Sequence, residues 1–157
     1  QRGVPAEACA AALAHFKLPG MRWAVSEKNG VTIINDAYNA NPQSMAASLK
    51  TLAARPCRGR RIAVLGDMLE LGAQSEALHR GVGREAAAAG LDLLVTVGPL
   101  AGQFIADEAK KAATALAGES FGDAVSARAP FSALLGPGDT IPLKASRGLA
   151  LERILPE

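Results

Sequence analysis

Cysteine is scarce in this sequence: among 157 residues only Cys9 and Cys57 carry thiols. Two thiols so far apart supply neither a disulfide framework nor the paired spacing of a zinc knuckle, and they read as reduced cytosolic side chains. His79 has no second histidine at i+4 and no local thiol, so no metal site is expected. Long apolar runs are also missing. The longest are short and diluted with alanine and glycine, too short to cross a bilayer. Nor is there an excess of one charge: 17 Lys plus Arg stand against 15 Asp plus Glu, a net +2 with no basic run. That balance argues against a nucleic-acid or polyanion surface. No GxxxxGK[ST] occurs, so the chain holds no Walker phosphate cradle. No GxGxxG follows the first strand, and "GPLAG" at 98–102 does not substitute for it. A stand-alone dinucleotide-binding domain is therefore not expected. The opening "QRGVPAEACAAALAHFKLPGMRW" has no initiator Met and no charged-then-apolar leader, and it starts as if inside a helix. Residues 1–18 are expected to be the end of a preceding domain and its linker, and the chain is expected in the cytoplasm.

Hydrophobic residues make up 49% and charged residues 20%, the balance of a globular domain with a sizeable core. Residues 5–16 predict a helix, with Pro5 in its first turn, broken by "KLPG" at 17–20. "RWAVSE" and "VTIIND" flank Asn29-Gly30, the strongest short hairpin signal, because both turn residues accept positive φ. From there the pattern alternates. A strand at 31–35 precedes a helix at 43–54 with Met45, Leu49 and Leu52 on one face and Pro42 at its first turn. A buried parallel strand at 61–66 precedes a helix at 75–89 carrying Leu78, Val82, Ala86 and Ala89. A third strand at 92–98 leads to a helix at 100–116 with Ile105, Ala109, Ala112 and Leu116. A weaker unit covers 119–135, where Pro130 is expected to break or kink the helix. "GPGD" at 136–139 turns into a strand at 140–145, and a last helix carries Leu151, Ile154 and Leu155. Pro142 lies in that last strand, and because proline cannot donate to a ladder the strand is expected to be at an edge or irregular. The fold expected is α/β: a three-layer Rossmann-like domain, mostly parallel, with an N-terminal β-hairpin.

In an open α/β sheet, ligands gather where strands end and helices begin. Such turns usually run about two to six residues, and two of the three polar junctions here are longer. In "NDAYNANPQS" at 35–44, Asp36 closes an apolar strand, where a carboxylate can accept from a ribose diol, and Tyr38, Asn39 and Asn41 add contacts. Asn41 serves equally as a ligand contact or as the cap of the helix at Pro42. In "GDMLELGAQSEALH" at 66–79, Asp67, Glu70 and His79 form an acid–base group or, for His79, a hydrogen-bonded structural residue; Glu76 and Arg80 fit a surface i, i+4 pair. In "LKASRG" at 143–148, Lys144, Ser146 and Arg147 stand at a helix start, where N–H groups and cations favour a carboxylate or phosphate. The bland reading is a Ser146 cap with two exposed cations.

At these same junctions the chain resembles the C-terminal domain of the Mur ligases. The resemblance is carried by "MRW" at 21–23, "NDAYNANPQSM" at 35–45, "LGDMLELG" at 65–72 with "LHRGVG" at 78–83, and "PGD…LKASRG…LE" from 137 to 152. These segments occur in family order over about 20–157, so residues 19–157 are expected to be that domain. "DAYNANP" and "GDMLELG" together are specific. The resemblance implies an ATP-dependent amide ligase of peptidoglycan precursor synthesis, the branch adding D-Ala-D-Ala to UDP-MurNAc-tripeptide. It implies ATP with Mg2+ as cofactors, Mg2+ held mainly by a central domain outside this chain, and partner N-terminal and central domains of the same polypeptide. It implies no nucleic acid and no membrane insertion. Carried over by motif, Arg22 resembles the arginine that reaches the nucleotide phosphates, and Asp36 the carboxylate that holds the ribose. Tyr38, Asn39 and Asn41 line that edge. The segments with Asp67, Met68, Leu69 and Glu70 and with Lys144, Ser146 and Arg147 resemble regions that contact the incoming amine, here a dipeptide. No complete catalytic set is expected, and the chain alone is expected to be inactive. The alternatives are a non-catalytic α/β module binding a nucleotide or a protein, or the equivalent domain of a sister Mur or folylpolyglutamate ligase.

Overall fold

The computed structural model describes residues 3–14 and 20–155. A helix, α1 (Ala6–Ala14), opens it and buries none of its residues. The last part of the helix expected at 5–16 and most of the linker expected at 17–20 lie outside the described residues. Strands β1 (Ala24–Lys28) and β2 (Val31–Asn35) then pair antiparallel, with Lys28 opposite Val31. Asn29 and Gly30 between them have φ of 52° and 76°. Two consecutive positive φ values make the primed turn whose twist matches that of the paired strands.

The remaining units are α2 (Pro42–Ala54), β3 (Ile62–Gly66), α3 (Ser75–Ala88), β4 (Leu93–Val97), α4 (Asp107–Ala112), β5 (Ala117–Phe121), α5 (Ala124–Leu134) and β6 (Thr140–Lys144). The sheet order is β1-β2-β6-β3-β4-β5, parallel throughout except for β1. Alternate residues of β3 feed two cores. Ile62 and Val64 join Phe131 and Ala127 of α5 with Leu151 and Ile154 on one face. Ala63 and Leu65 join Met45, Leu49 and Leu52 of α2, Val82 and Ala86 of α3 and Ile105 and Ala109 on the other. The result is the three-layer, mostly parallel architecture with a leading hairpin.

Four local expectations are corrected. The helix expected over 100–116 is instead a π-helical stretch, Ala101–Ala106, followed by α4, and Leu116 lies beyond it. Pro130 does not break its helix: α5 runs on to Leu134. Ser126 and Pro130 both lie on the exposed side, so the carbonyl that loses its i+4 donor is left to water rather than buried. The last helix is two short 3-10 turns, Arg147–Leu149 and Leu151–Ile154, divided at Ala150, whose φ is 45°. Most consequentially, β6 is central and regular despite Pro142. Thr140 N–H donates to the Arg60 carbonyl at 2.9 Å, which directs the alternate donors of β6 towards β3. Pro142 is the next of these, and pairing with β3 resumes only at Val64 with Leu143. On the other side the ladder to β2 is unbroken, Ile34 pairing with Pro142. One missing ladder bond, worth about 1 kcal/mol, does not displace a strand all five of whose residues are buried.

Candidate functional site

The strand order sets β6 between β2 and β3, so the three polar junctions at the C-terminal ends of these strands lie side by side. They form two neighbouring clefts.

The first cleft, of about 450 Å³, is lined by Arg22, Trp23, Asp36, Tyr38, Asn39, Asn41, Ser44 and Lys144. Its loop is folded largely by its own amide side chains. Asn35 Oδ1 accepts from Ala37 N–H at 3.1 Å, and Asn39 Oδ1 accepts from Ala40 N–H at 2.8 Å. Asn41 Oδ1 accepts from Ser44 N–H at 2.9 Å while Ser44 Oγ accepts from Asn41 N–H at 3.1 Å, a reciprocal capping box that starts α2. Such a cap is worth about 1 kcal/mol. With Asn35, Asn39 and Asn41 committed locally, Asp36 is the acidic group that faces the cleft. Its Oδ1 accepts from Trp23 N–H at 3.2 Å and its Oδ2 from Lys144 Nζ at 2.7 Å. Each oxygen keeps lone-pair capacity for a further donor. Lys144 also donates to the Asn39 carbonyl at 3.0 Å. The Arg22 guanidinium lies 4.3 Å from the centroid of the Tyr38 ring, within cation–π range. Met21 and Trp23, on either side of Arg22, have φ of 64° and 53°, conformations costly for residues with a Cβ.

The second cleft, of about 290 Å³, is lined by Tyr38, Asn39, Leu69, Glu70, Ser146, Arg147 and Gly148, so Tyr38 and Asn39 belong to both. Close approach of the backbones builds it. A Cβ at Gly66 would lie 2.7 Å from Ala145 Cβ and 2.8 Å from Leu149 Cδ2. Ser146 ties the junctions together: its N–H donates to the Asp67 carbonyl at 3.0 Å and its Oγ accepts from Leu69 N–H at 2.9 Å. Arg147 pairs with Glu152 at 2.7 Å and keeps 51% of its side chain exposed. Glu70, at φ 65°, is exposed on the rim.

The candidates on the β3 and β6 junctions therefore divide. Leu69, Glu70, Ser146 and Arg147 line the second cleft. Lys144 belongs to the first, with 4% of its side chain exposed. Asp67 and Met68 line neither: Asp67 Oδ1 accepts from Ala101 N–H at 2.6 Å, and the Met68 side chain is fully buried. His79 is likewise buried, so the acid–base grouping of Asp67, Glu70 and His79 does not assemble in a cleft. Ser146 makes no side-chain cap to the turn that follows it. Trp23 and Ser44 line the first cleft without having been singled out. For Ser44 the spacing from Asn41 signals only a cap. Among the described residues no group of three or more His, Cys, Asp or Glu side chains is placed to hold a metal ion. No described helix is long and apolar enough to cross a membrane.

The chain is similar to known proteins over nearly its whole length. The UDP-N-acetylmuramoyl-tripeptide–D-alanyl-D-alanine ligase of Bacillus subtilis (strain 168) is 36% identical over 154 residues, covering 98% of this chain and 34% of that protein. The enzyme of that name from Escherichia coli (strain K12) is 36% identical over 156 residues, covering 98% of this chain and 32% of that protein. A crystal structure of MurF from Acinetobacter baumannii superposes with TM-score 0.81 at 28% identity, covering 96% of this chain and 33% of that one. MurF ligase from Thermotoga maritima, in complex with ADP, superposes with TM-score 0.73 at 29% identity, covering 90% of this chain and 31% of that one. The chain thus spans about a third of the length of the curated relatives it matches. The family model described as "Mur ligase, glutamate ligase domain" matches residues 21–147, which takes in the lining of both clefts except Gly148, and this chain belongs to the Mur ligase family.

Proposed function

We propose that this chain is the C-terminal, closing domain of the ATP-dependent ligase that joins D-Ala-D-Ala to UDP-MurNAc-tripeptide. The observation that carries the reading is the pair of clefts sharing the Tyr38–Asn39 wall, one lined by Arg22, Asp36 and Lys144, the other by Glu70, Ser146 and Arg147. The first is the nucleotide side. Asp36 accepts from the ribose diol, Arg22 reaches the phosphates, and Tyr38, Asn39 and Asn41 form its edge. That the Thermotoga maritima relative forms a complex with ADP supports nucleotide use by this protein. The second is the dipeptide side, where Arg147 and the donors beside it take the carboxylate and leave the amine free. Asp67 and Met68 support that side from behind, and Lys144 organises the nucleotide side.

In the reaction, the tripeptide carboxylate attacks the γ-phosphate of ATP, giving an acyl phosphate and ADP. The dipeptide amine then attacks the acyl carbon, loses a proton, and expels inorganic phosphate from the tetrahedral intermediate. This chain contributes positioning and charge complementarity. Mg2+ is held by the central domain, and the active unit is the cytoplasmic full-length protein. Residues 1–18 are the end of that central domain and its linker, and α1, which buries no residue here, fits packing against partners outside this chain.

The test is phosphate release by the full-length protein, with UDP-MurNAc-tripeptide and D-Ala-D-Ala supplied separately and together. Release only with both supports the ligase; release with neither, or none from folded protein, removes it. In the same assay Asp36→Ala raises the KM for ATP by roughly tenfold, the loss of a charge-assisted hydrogen bond, while the protein stays folded. An unchanged KM takes Asp36 out of the nucleotide site.

A further inference from the structure

His79 lines neither cleft, yet it is fully buried, 0% exposed, beneath the loop that forms one of them. Both ring nitrogens are engaged. Met68 N–H donates to Nε2 at 3.0 Å, and Nδ1 lies 2.7 Å from the Ser75 carbonyl oxygen. A carbonyl can only accept, so these partners assign the proton to Nδ1 and leave Nε2 as a lone-pair acceptor. The ring thus holds a backbone amide in the middle of the loop after β3.

From the other side the same loop is held by the end of β6. Leu69 N–H donates to Ser146 Oγ at 2.9 Å, and the Asp67 carbonyl accepts from Ser146 N–H at 3.0 Å. Consecutive peptide units at 67–69 are therefore clamped between α3 and β6, and the loop emerges at Leu69 and Glu70, which line the second cleft. We propose that His79 is a positioning residue for that cleft: acting through Met68 N–H, it fixes the path of the loop so that Leu69 and Glu70 face Ser146 and Arg147. The proposal rests on the reading of the second cleft as the dipeptide side. Without the imidazole acceptor the Met68 amide is buried and unpaired, a condition proteins avoid. The partly exposed loop relieves it most readily by moving towards water, which carries Leu69 and Glu70 out of register.

Two variants of the full-length protein separate positioning from packing. In His79→Asn the amide oxygen falls near the Nδ1 position and cannot reach Met68. In His79→Gln the longer side chain brings its carbonyl oxygen to the Nε2 position, where it accepts from Met68 N–H. His79→Asn is expected to raise the KM for D-Ala-D-Ala about tenfold while leaving the KM for ATP within about twofold. It is also expected to speed amide exchange in the peptide spanning 67–71. His79→Gln is expected to restore both to within about threefold of the parent. A folded Asn variant with parental dipeptide KM and parental exchange overturns the proposal. So does a folded Gln variant whose dipeptide KM rises about tenfold over the parent, and this arm decides the matter if Asn does not fold. If the parent protein shows no turnover dependent on D-Ala-D-Ala, the dipeptide reading fails by itself. Exchange at 67–71 then decides the role of His79: faster in Asn than in Gln upholds the clamp, and equal rates remove it.

Discussion

Lys144 brings its ammonium to within 2.7 Å of the Asp36 carboxylate with 4% of its side chain exposed, against 20% for Asp36. Residue type and position alone would offer it as an anion ligand, a cation at a strand end before a turn. Burial and partners make it instead a fixed counter-charge that also holds the Asn39 carbonyl. Replacing one member of a buried pair strands the other. Lys144→Met is therefore expected to cost roughly 2–3 kcal/mol, at the lower end of such losses because Asp36 keeps contact with water. Urea unfolding of the variant measures this. Lys144→Arg is not expected to restore the loss, since a planar fork does not replace a point donor between two oxygens. Full stability in the Met variant would show that the pair contributes nothing net. Asn41, by contrast, resolves towards capping: its side chain completes the box with Ser44 while its residue still borders the first cleft.

At the scale of elements, α5 keeps helical form through Pro130 because its inner face, Ala124, Ala127 and Phe131, is buried against the sheet. Burial of that stripe outweighs the local penalty, which falls where water can reach the orphaned carbonyl. Pro130→Ala restores the missing bond to Ser126 and is expected to raise stability by about 1–3 kcal/mol, part of the gain being offset by a freer unfolded chain. Thermal unfolding checks the sign, and a lower melting temperature would contradict it. The hairpin, α2 and α3 were legible because each carries a local signal: Asn29-Gly30, the Asn41–Pro42 start, and a helical repeat. Even so, α3 turns His79 and Gly83 inward beside Val82 and Ala86, a face that an apolar repeat cannot reveal.

Across the whole molecule the two ends of the sheet have different duties. The clefts gather at the C-terminal ends of the parallel strands, while the opposite end is fastened by Asp139, just before β6. Its carboxylate accepts from the Arg60 guanidinium at 2.7 Å and 3.2 Å, from Arg60 N–H at 3.0 Å and from Gly136 N–H at 2.9 Å. Burial alone would push this carboxyl up, but the bonds from Arg60 and Gly136 outweigh it and hold it below the ordinary aspartate value. The half-buried carboxyls of Asp107, beside Lys111 and Arg80, and of Glu108, beside Arg84, are lowered as well. A carboxyl with a depressed folded pKa contributes stability that is present above its unfolded value, near 4, and lost as pH falls towards the folded one. Stability is thus expected to decline below about pH 4. Asp139→Asn is expected to cost about 1–3 kcal/mol at neutral pH and to make the acid limb shallower. Unfolding curves measured from pH 7 down to 2.5 would show both effects, and an acid limb of unchanged slope would acquit Asp139.

The sequence by itself determined the alternation of strands and helices, the hairpin with its turn, and the residues rich enough in polar groups to make a site. These depend on near neighbours: periodicity, capping and turn chemistry act over a few residues. Only the tertiary structure decided that β6 lies between β2 and β3. That placement joins Lys144 to Asp36, 108 positions away, and Ser146 to Leu69, 77 positions away. It also explains why Pro142 is tolerated at the centre of the sheet, where hydrophobic burial on both faces outweighs one ladder bond. Long-range pairing is selected by the packing of the whole core, which no local window contains.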